Sequence, residues 1–116
     1  MSIERLDTGP RMSQAVSFGN MVFLAGQVAE TRAGGSVTEQ TAEILGQIDA
    51  LLARAGTDKS RILSATIYLA DMGTFGEMNA VWEPWVVPGH TPARATVEAK
   101  LAAPQYTVEI QVVAAK

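Results

Sequence analysis

The chain has no cysteine and one histidine, His90. Disulfides, thiolate nucleophiles, Cys-based zinc and iron–sulfur sites are excluded, as is any metal site built on several imidazoles. A Ser-His-Asp device would have to pass through His90, which lies in the loop-like run Pro88-Gly89-His90-Thr91-Pro92 and reads more simply as an exposed structural residue. Basic excess is also missing. Nine Lys plus Arg against twelve Asp plus Glu leave a net charge of −3 and a pI near 5.0, which disfavours nucleic acid as a partner. No Gly-x-x-x-x-Gly-Lys-Ser/Thr or Gly-x-Gly-x-x-Gly loop offers to cradle phosphates. The longest apolar run, Met21 to Ala25, falls far short of the ~20 residues of a membrane span. Glu4 and Asp7 in the first seven residues, with no apolar stretch after them, do not resemble a secretory leader, so the expected location is the cytoplasm.

What is present is a chain of 116 residues, 47% hydrophobic and 18% charged, the profile of a single soluble domain spanning residues 1–116. At this length about 65% of the unfolded surface can be buried. That is enough for one core, with self-association left to add stability.

The apolar residues from Val16 to Ala25 flank Gly19-Asn20, which predicts two short strands around a turn, the second ended by Gly26. Ser36-Val37-Thr38-Glu39 has the spacing at which a hydroxyl and a carboxylate each satisfy an amide at a helix start. Ala42, Leu45, Ile48, Leu52 and Ala55 follow at steps of three and four, and Gly56 stands where a left-handed cap belongs; residues 37–55 are expected to be helix. Ile62 to Leu69 predicts a strand whose dry face is Leu63, Ala65, Ile67 and Leu69. A second helix should start at the capping-box spacing Thr74 to Glu77, carry Phe75, Met78, Trp82 and Trp85 as a core stripe, and close near Glu83 because of Pro84. Strict alternation predicts strands over residues 93–101 and 106–114. Strand, strand, helix, strand, helix, strand, strand gives an α+β sandwich with two helices on one face of the sheet.

The other face would then carry Ser64, Thr66, Tyr68, Arg94, Thr96, Thr107, Glu109 and Gln111, a mixture suited either to a subunit interface holding polar ligands or to an open solvated surface. Arg94 and Glu109 stand apart because each sits in mid-strand among threonines. A guanidinium fork matches a carboxylate, and a carboxylate can hold or deprotonate water. A plain structural ion pair is the competing reading, and the residues by themselves leave both open.

Gly19-Asn20-Met21 leading to Ala25-Gly26-Gln27, a helix ending at Ala55-Gly56, then Asn79, Pro92-Ala93-Arg94-Ala95-Thr96-Val97 and Val108-Glu109-Ile110 together resemble the RidA/YjgF family of reactive-intermediate deaminases over nearly the whole chain. The resemblance implies a chorismate-mutase-like fold, a homotrimer with clefts between neighbouring chains, and a final strand separated in the sheet from the one before it. It further implies hydrolysis of enamines or imines of 2-keto acids, such as 2-iminobutanoate or 2-iminopropanoate, to the keto acid and ammonia without a cofactor or metal. Arg94 would grip the substrate carboxylate, the backbone around Gly26 would assist, and Glu109 would position the attacking water, with Met12, Ala25, Asn79, Ala95 and Thr96 lining the cleft. Met12 stands where the family often has tyrosine, Ala25 where it has serine and Thr96 where it commonly has cysteine, which reduces the substrate contacts. Pro84 is expected to kink the helix and displace Asn79. A non-catalytic binder of small carboxylates and, less favoured, a ribonuclease or translation inhibitor are the competing functions.

Overall fold

The computed structural model describes residues 1–116 as six strands and two α-helices: β1 (Ile3–Leu6), β2 (Ala15–Phe18), β3 (Met21–Leu24), α1 (Val37–Arg54), β4 (Ile62–Leu69), α2 (Phe75–Trp85), β5 (Ala93–Glu98) and β6 (Val108–Ala115). The strands form one mixed sheet in the order β1-β2-β3-β6-β4-β5, with β4 and β5 parallel and every other pair antiparallel. This is the α+β, chorismate-mutase-like arrangement. The last strand lies between β3 and β4, so β5 and β6 are not a hairpin. No helix is long and apolar enough to cross a membrane.

One core lies between the sheet and the helices. Val22, Leu24, Ile67, Val108, Ile110 and Val112 point from alternate strand positions onto Ile44, Ile48 and Leu52 of α1 and Met78 and Trp82 of α2. Each large aliphatic residue sealed there is worth about 1.5–3 kcal/mol relative to exposure. The box at the start of α1 forms on both sides: Ser36 accepts from the Glu39 amide, and the Glu39 carboxylate accepts from the Ser36 amide. Gly56, at φ 86°, follows the last turn in the left-handed region that glycine tolerates.

Several expectations need correction. β1 had no signal in the sequence, since its four residues are mostly exposed and carry no alternation against the core. Leu63 is exposed rather than buried, because a register shift between Ile62 and Ser64 inserts it as a β-bulge and Ile62 takes the core position. The box expected at α2 does not form: the Thr74 side chain caps no helix amide, and Glu77 instead accepts from the Thr38 hydroxyl at 3.0 Å. A short 3₁₀ turn, Met72–Thr74, feeds that helix. α2 passes through Pro84 and ends at Trp85, two residues beyond the expected stop, because a proline in the last turn removes only one helical bond. Phe75 is 40% exposed, and Trp85 is half-buried with its indole N–H on Asp49. β5 stops at Glu98 and β6 starts at Val108, both shorter than the alternation suggested.

The connection between β5 and β6 is fastened from below. Gln40 of α1 is fully buried, donates to the carbonyls of Gly35 and Gln105, and accepts from the Thr107 amide. A long loop is thereby pinned to a helix without a strand of its own.

Candidate functional site

The expected polar sheet face is half wrong. In the parallel β4–β5 register Arg94 lies beside Ala65 and Thr96 beside Ile67, both of which face the helices; paired residues share a face, so Arg94 and Thr96 do too. Ala93, Ala95 and Val97 take the open face instead, and all three are exposed. Apolar alternation fails as a guide to the core here because β5 is an edge strand, whose inner face meets α2 through a guanidinium. A guanidinium is weakly hydrated and packs its plane on aromatic rings.

Arg94 is held by three side chains of α2. Its Nη1 donates to Asn79 Oδ1 at 2.7 Å, and its central carbon lies 5.7 Å from the Phe75 ring centre and 5.5 Å from that of Trp82. Phe75, Asn79 and Trp82 sit four and three residues apart, so one helical stripe supplies all three. Asn79 is therefore not displaced by Pro84. No carboxylate neutralises Arg94: the ion pairs of the chain are Arg32–Glu39 and Arg54–Asp7. Thr96, on the same face, has a buried hydroxyl without a partner.

Glu109 belongs to the open face, beside Tyr68 of β4, with Gln111 and Thr66 as the next pair. Its carboxylate lies against Gly26, where a Cβ would come within 3.0 Å of Glu109 Cδ and closer still to Oε2. Only the missing side chain allows this approach. The Gly26 amide and the Glu109 carboxylate both lack a hydrogen-bond partner within the chain. Immediately beyond, Gln27 and Ile110 exchange two backbone bonds, of 2.8 and 3.0 Å, which bring the Ala25-Gly26-Gln27 turn onto β6. The Ala25 amide donates to the Gln14 carbonyl, and Met12, 54% exposed, lies on the same approach to β2.

The predicted residues thus fall into two groups. Arg94, Asn79 and Thr96 lie at the β5 edge on the helix side, whereas Gly26, Ala25, Glu109 and Ala95 lie on or beside the open face, and Met12 is exposed on the approach to β2. Within one chain Arg94 and Glu109 form no ion pair, which removes the structural-pair reading for the monomer. A cleft of about 650 Å³ beside the 99–106 loop is lined by Leu101, Pro104 and Tyr106 among others, and includes neither residue. Phe75 and Trp82 as partners of Arg94 were missed: their helical spacing signalled an apolar stripe, and nothing in the sequence placed an edge-strand arginine above it.

The open face also carries apolar residues in quantity. Ile3, Phe18 and Phe23 are 51%, 48% and 44% exposed, and by the β1–β2–β3 register all three project from that side. Patches of this kind mark contact surfaces.

The family model described as Endoribonuclease L-PSP matches residues 2–116. A RutC family protein of Haemophilus influenzae is 46% identical over 114 residues, covering 98% of both chains, and the RutC family protein YoaB of Escherichia coli is 47% identical over 115 residues, covering 99% of both. A crystal structure of a YjgF family member from Neisseria meningitidis superposes with a TM-score of 0.96 at 50% identity, over 100% of this chain and 96% of that one. With the whole domain matched in sequence and in fold, the chain belongs to the RidA/YjgF (L-PSP) family.

Proposed function

We propose that the protein is a hydrolytic deaminase of 2-imino acids that acts at clefts between the copies of a homotrimer. The observation that carries this reading is the pair of incomplete half-sites. A guanidinium braced by Asn79, Phe75 and Trp82 has no carboxylate of its own, and a carboxylate over Gly26 has no donor of its own. They lie on opposite faces of one sheet, so a second chain must bring Glu109 to Arg94.

The chemistry fits this division. Arg94 binds the substrate carboxylate through its remaining N–H groups, and the free Gly26 amide supplies a further donor. The imine carbon is already electrophilic, so orientation supplies most of the acceleration. Glu109 takes a proton from water as the water oxygen bonds to that carbon. That proton passes to the imine nitrogen to give a carbinolamine; Glu109 then takes the hydroxyl proton and returns it to nitrogen as the C=O bond forms and the C–N bond breaks, releasing ammonia and the 2-keto acid. This chain's own residues perform each step.

The test is decay of 2-iminopropanoate or 2-iminobutanoate, freshly generated by an amino-acid oxidase, with wild type and Arg94→Ala. Loss of a desolvated carboxylate clamp should cost ~2–5 kcal/mol, a drop of roughly 30-fold to several thousandfold. Equal rates would remove Arg94 from the reaction. Saturable 2-ketobutanoate binding without acceleration would make the protein a carboxylate binder instead. Sedimentation as a monomer would leave the cleft without its second wall. The endoribonuclease name of the family model finds little support in this chain, whose charge is −3 with one histidine; salt-sensitive binding of single-stranded RNA would revive it.

A further inference from the structure

Behind Gly26 runs a chain of three glutamine amides that the reaction above does not use. Gln27 is 6% exposed, and its Nε2 donates to Gln14 Oε1 at 2.9 Å and to the Ala25 carbonyl at 3.0 Å. Gln47 of α1 donates from Nε2 to Gln27 Oε1 at 3.2 Å and to the Val28 carbonyl at 3.1 Å. Both protons of the Gln27 and Gln47 amide nitrogens are therefore spent. The direction of the chain is fixed as well, because the Ala25 and Val28 carbonyls accept and cannot donate. Neither amide can flip without setting acceptor against acceptor.

These bonds grip the carbonyls on both sides of Gly26-Gln27, while the Gln27 backbone is clamped to Ile110, next to Glu109. The turn would otherwise hang on three backbone bonds, the Gln27–Ile110 pair and the Ala25 amide on the Gln14 carbonyl. From this geometry we infer that Gln47, acting through Gln27, is a positioning residue that holds the Gly26 backbone against the Glu109 carboxylate. It hydrogen-bonds to neither the proposed substrate clamp Arg94 nor the Asn79 and Trp82 side chains beside it. Its loss should loosen the water-orienting half of the site and leave the carboxylate-binding half intact. The inference concerns the site of the proposed deaminase, but its structural part stands without that activity.

Gln47→Leu removes both donated bonds from a half-buried helix position, and Gln47→Met does so while keeping the length of the side chain. Either should lower kcat for imine hydrolysis about tenfold, as expected for a misplacement well short of 1 Å, with KM held within about twofold. Ile48→Val, one residue along α1 in the core, should lose comparable thermal stability with kcat unchanged, which separates positioning from general loosening. A second readout needs no turnover. Glu109→Gln should move the Gly26 amide resonance in the parent, and in Gln47→Leu the same substitution should move it by less than roughly half as much. An undiminished shift in the Gln47→Leu background, or a kcat equal to that of the parent, overturns the inference. A wild-type chain that hydrolyses no imine refutes the proposed function instead, and the resonance cycle then decides this inference by itself.

Discussion

Gly26→Ala isolates the one contact on which the water-orienting half of the site depends. The backbone at Gly26 is not in the left-handed region, so alanine fits conformationally and the whole effect is steric. The new methyl would stand 3.0 Å from Glu109 Cδ and 3.3 Å from Cγ, and nearer still to Oε2. Non-bonded heavy atoms settle at about 3.5–4.0 Å, so the carboxylate must retreat by about 1 Å. Glu109 is partly exposed and its carboxylate has no partner within the chain to lose, and alanine also lowers the entropy of the unfolded chain, so stability should change by only about 1 kcal/mol. Catalysis should suffer far more. A misplacement of that size costs on the order of 100-fold, or about 2.7 kcal/mol of barrier. Imine decay under saturating substrate measures kcat, and thermal unfolding measures the fold. In a Glu109→Ala background the same change should add little, since the group it displaces is gone. Gly46→Ala, where nothing lies within 4 Å of the added methyl, serves as the control and should stabilise α1 by about 1 kcal/mol. A Gly26→Ala protein that folds and turns over within about twofold of wild type would refute the assigned role of Glu109.

The remaining predictions concern other parts of the frame. Asn79→Ala removes the 2.7 Å bond that fixes the Arg94 fork while leaving both aromatic faces, and should raise KM about 5–10-fold in steady-state kinetics with less effect on kcat. Gln40→Leu strands the buried Thr107 amide and the Gly35 and Gln105 carbonyls, and should cost about 2–4 kcal/mol in denaturant unfolding, with faster hydrogen exchange in the 99–107 loop. The Glu43 carboxyl is held below its ordinary 4.5, chiefly by the Thr31 amide, and that of Asp7 below its ordinary 3.8, chiefly by the Arg54 guanidinium. A depressed folded-state pKa contributes stability above the unfolded value and loses it as pH falls through and below that range, so the melting temperature should hold from pH 7 to about 5 and decline below about 4.5. Glu43→Gln should flatten part of that decline, and a melting temperature rising toward acid would contradict the assignment.

Local pattern sufficed where one segment meets one continuous core. The Leu45–Ala55 part of the 3.6-residue stripe and the Ser36–Glu39 box of α1, the Gly19-Asn20 turn, and the alternation of β6 all state their burial in nearest-neighbour terms, and the structure agrees with them; Ala42, expected at the head of that stripe, is exposed. Pattern misled where burial depends on a distant element. Leu63 reads as core, yet one inserted residue in the β4–β6 ladder turns it outward. Glu77 reads as a cap for its own helix, yet it serves α1.

The composition and the order of chemical side chains, fixed in the primary chain, excluded thiol, multi-histidine and phosphate-loop chemistry, marked Arg94 and Glu109 as the unusual mid-strand charges, and set the element types. Tertiary structure alone decided which way those charges point. Arg94 turns toward α2 because parallel pairing sets it beside Ala65 and two aromatic rings offer its plane a surface, whereas Glu109 turns the other way because Ile110 and Val108 claim the core side of β6. A period of two tells which residues share a face, but not which face the rest of the molecule covers; that follows from pairing between segments far apart in the chain.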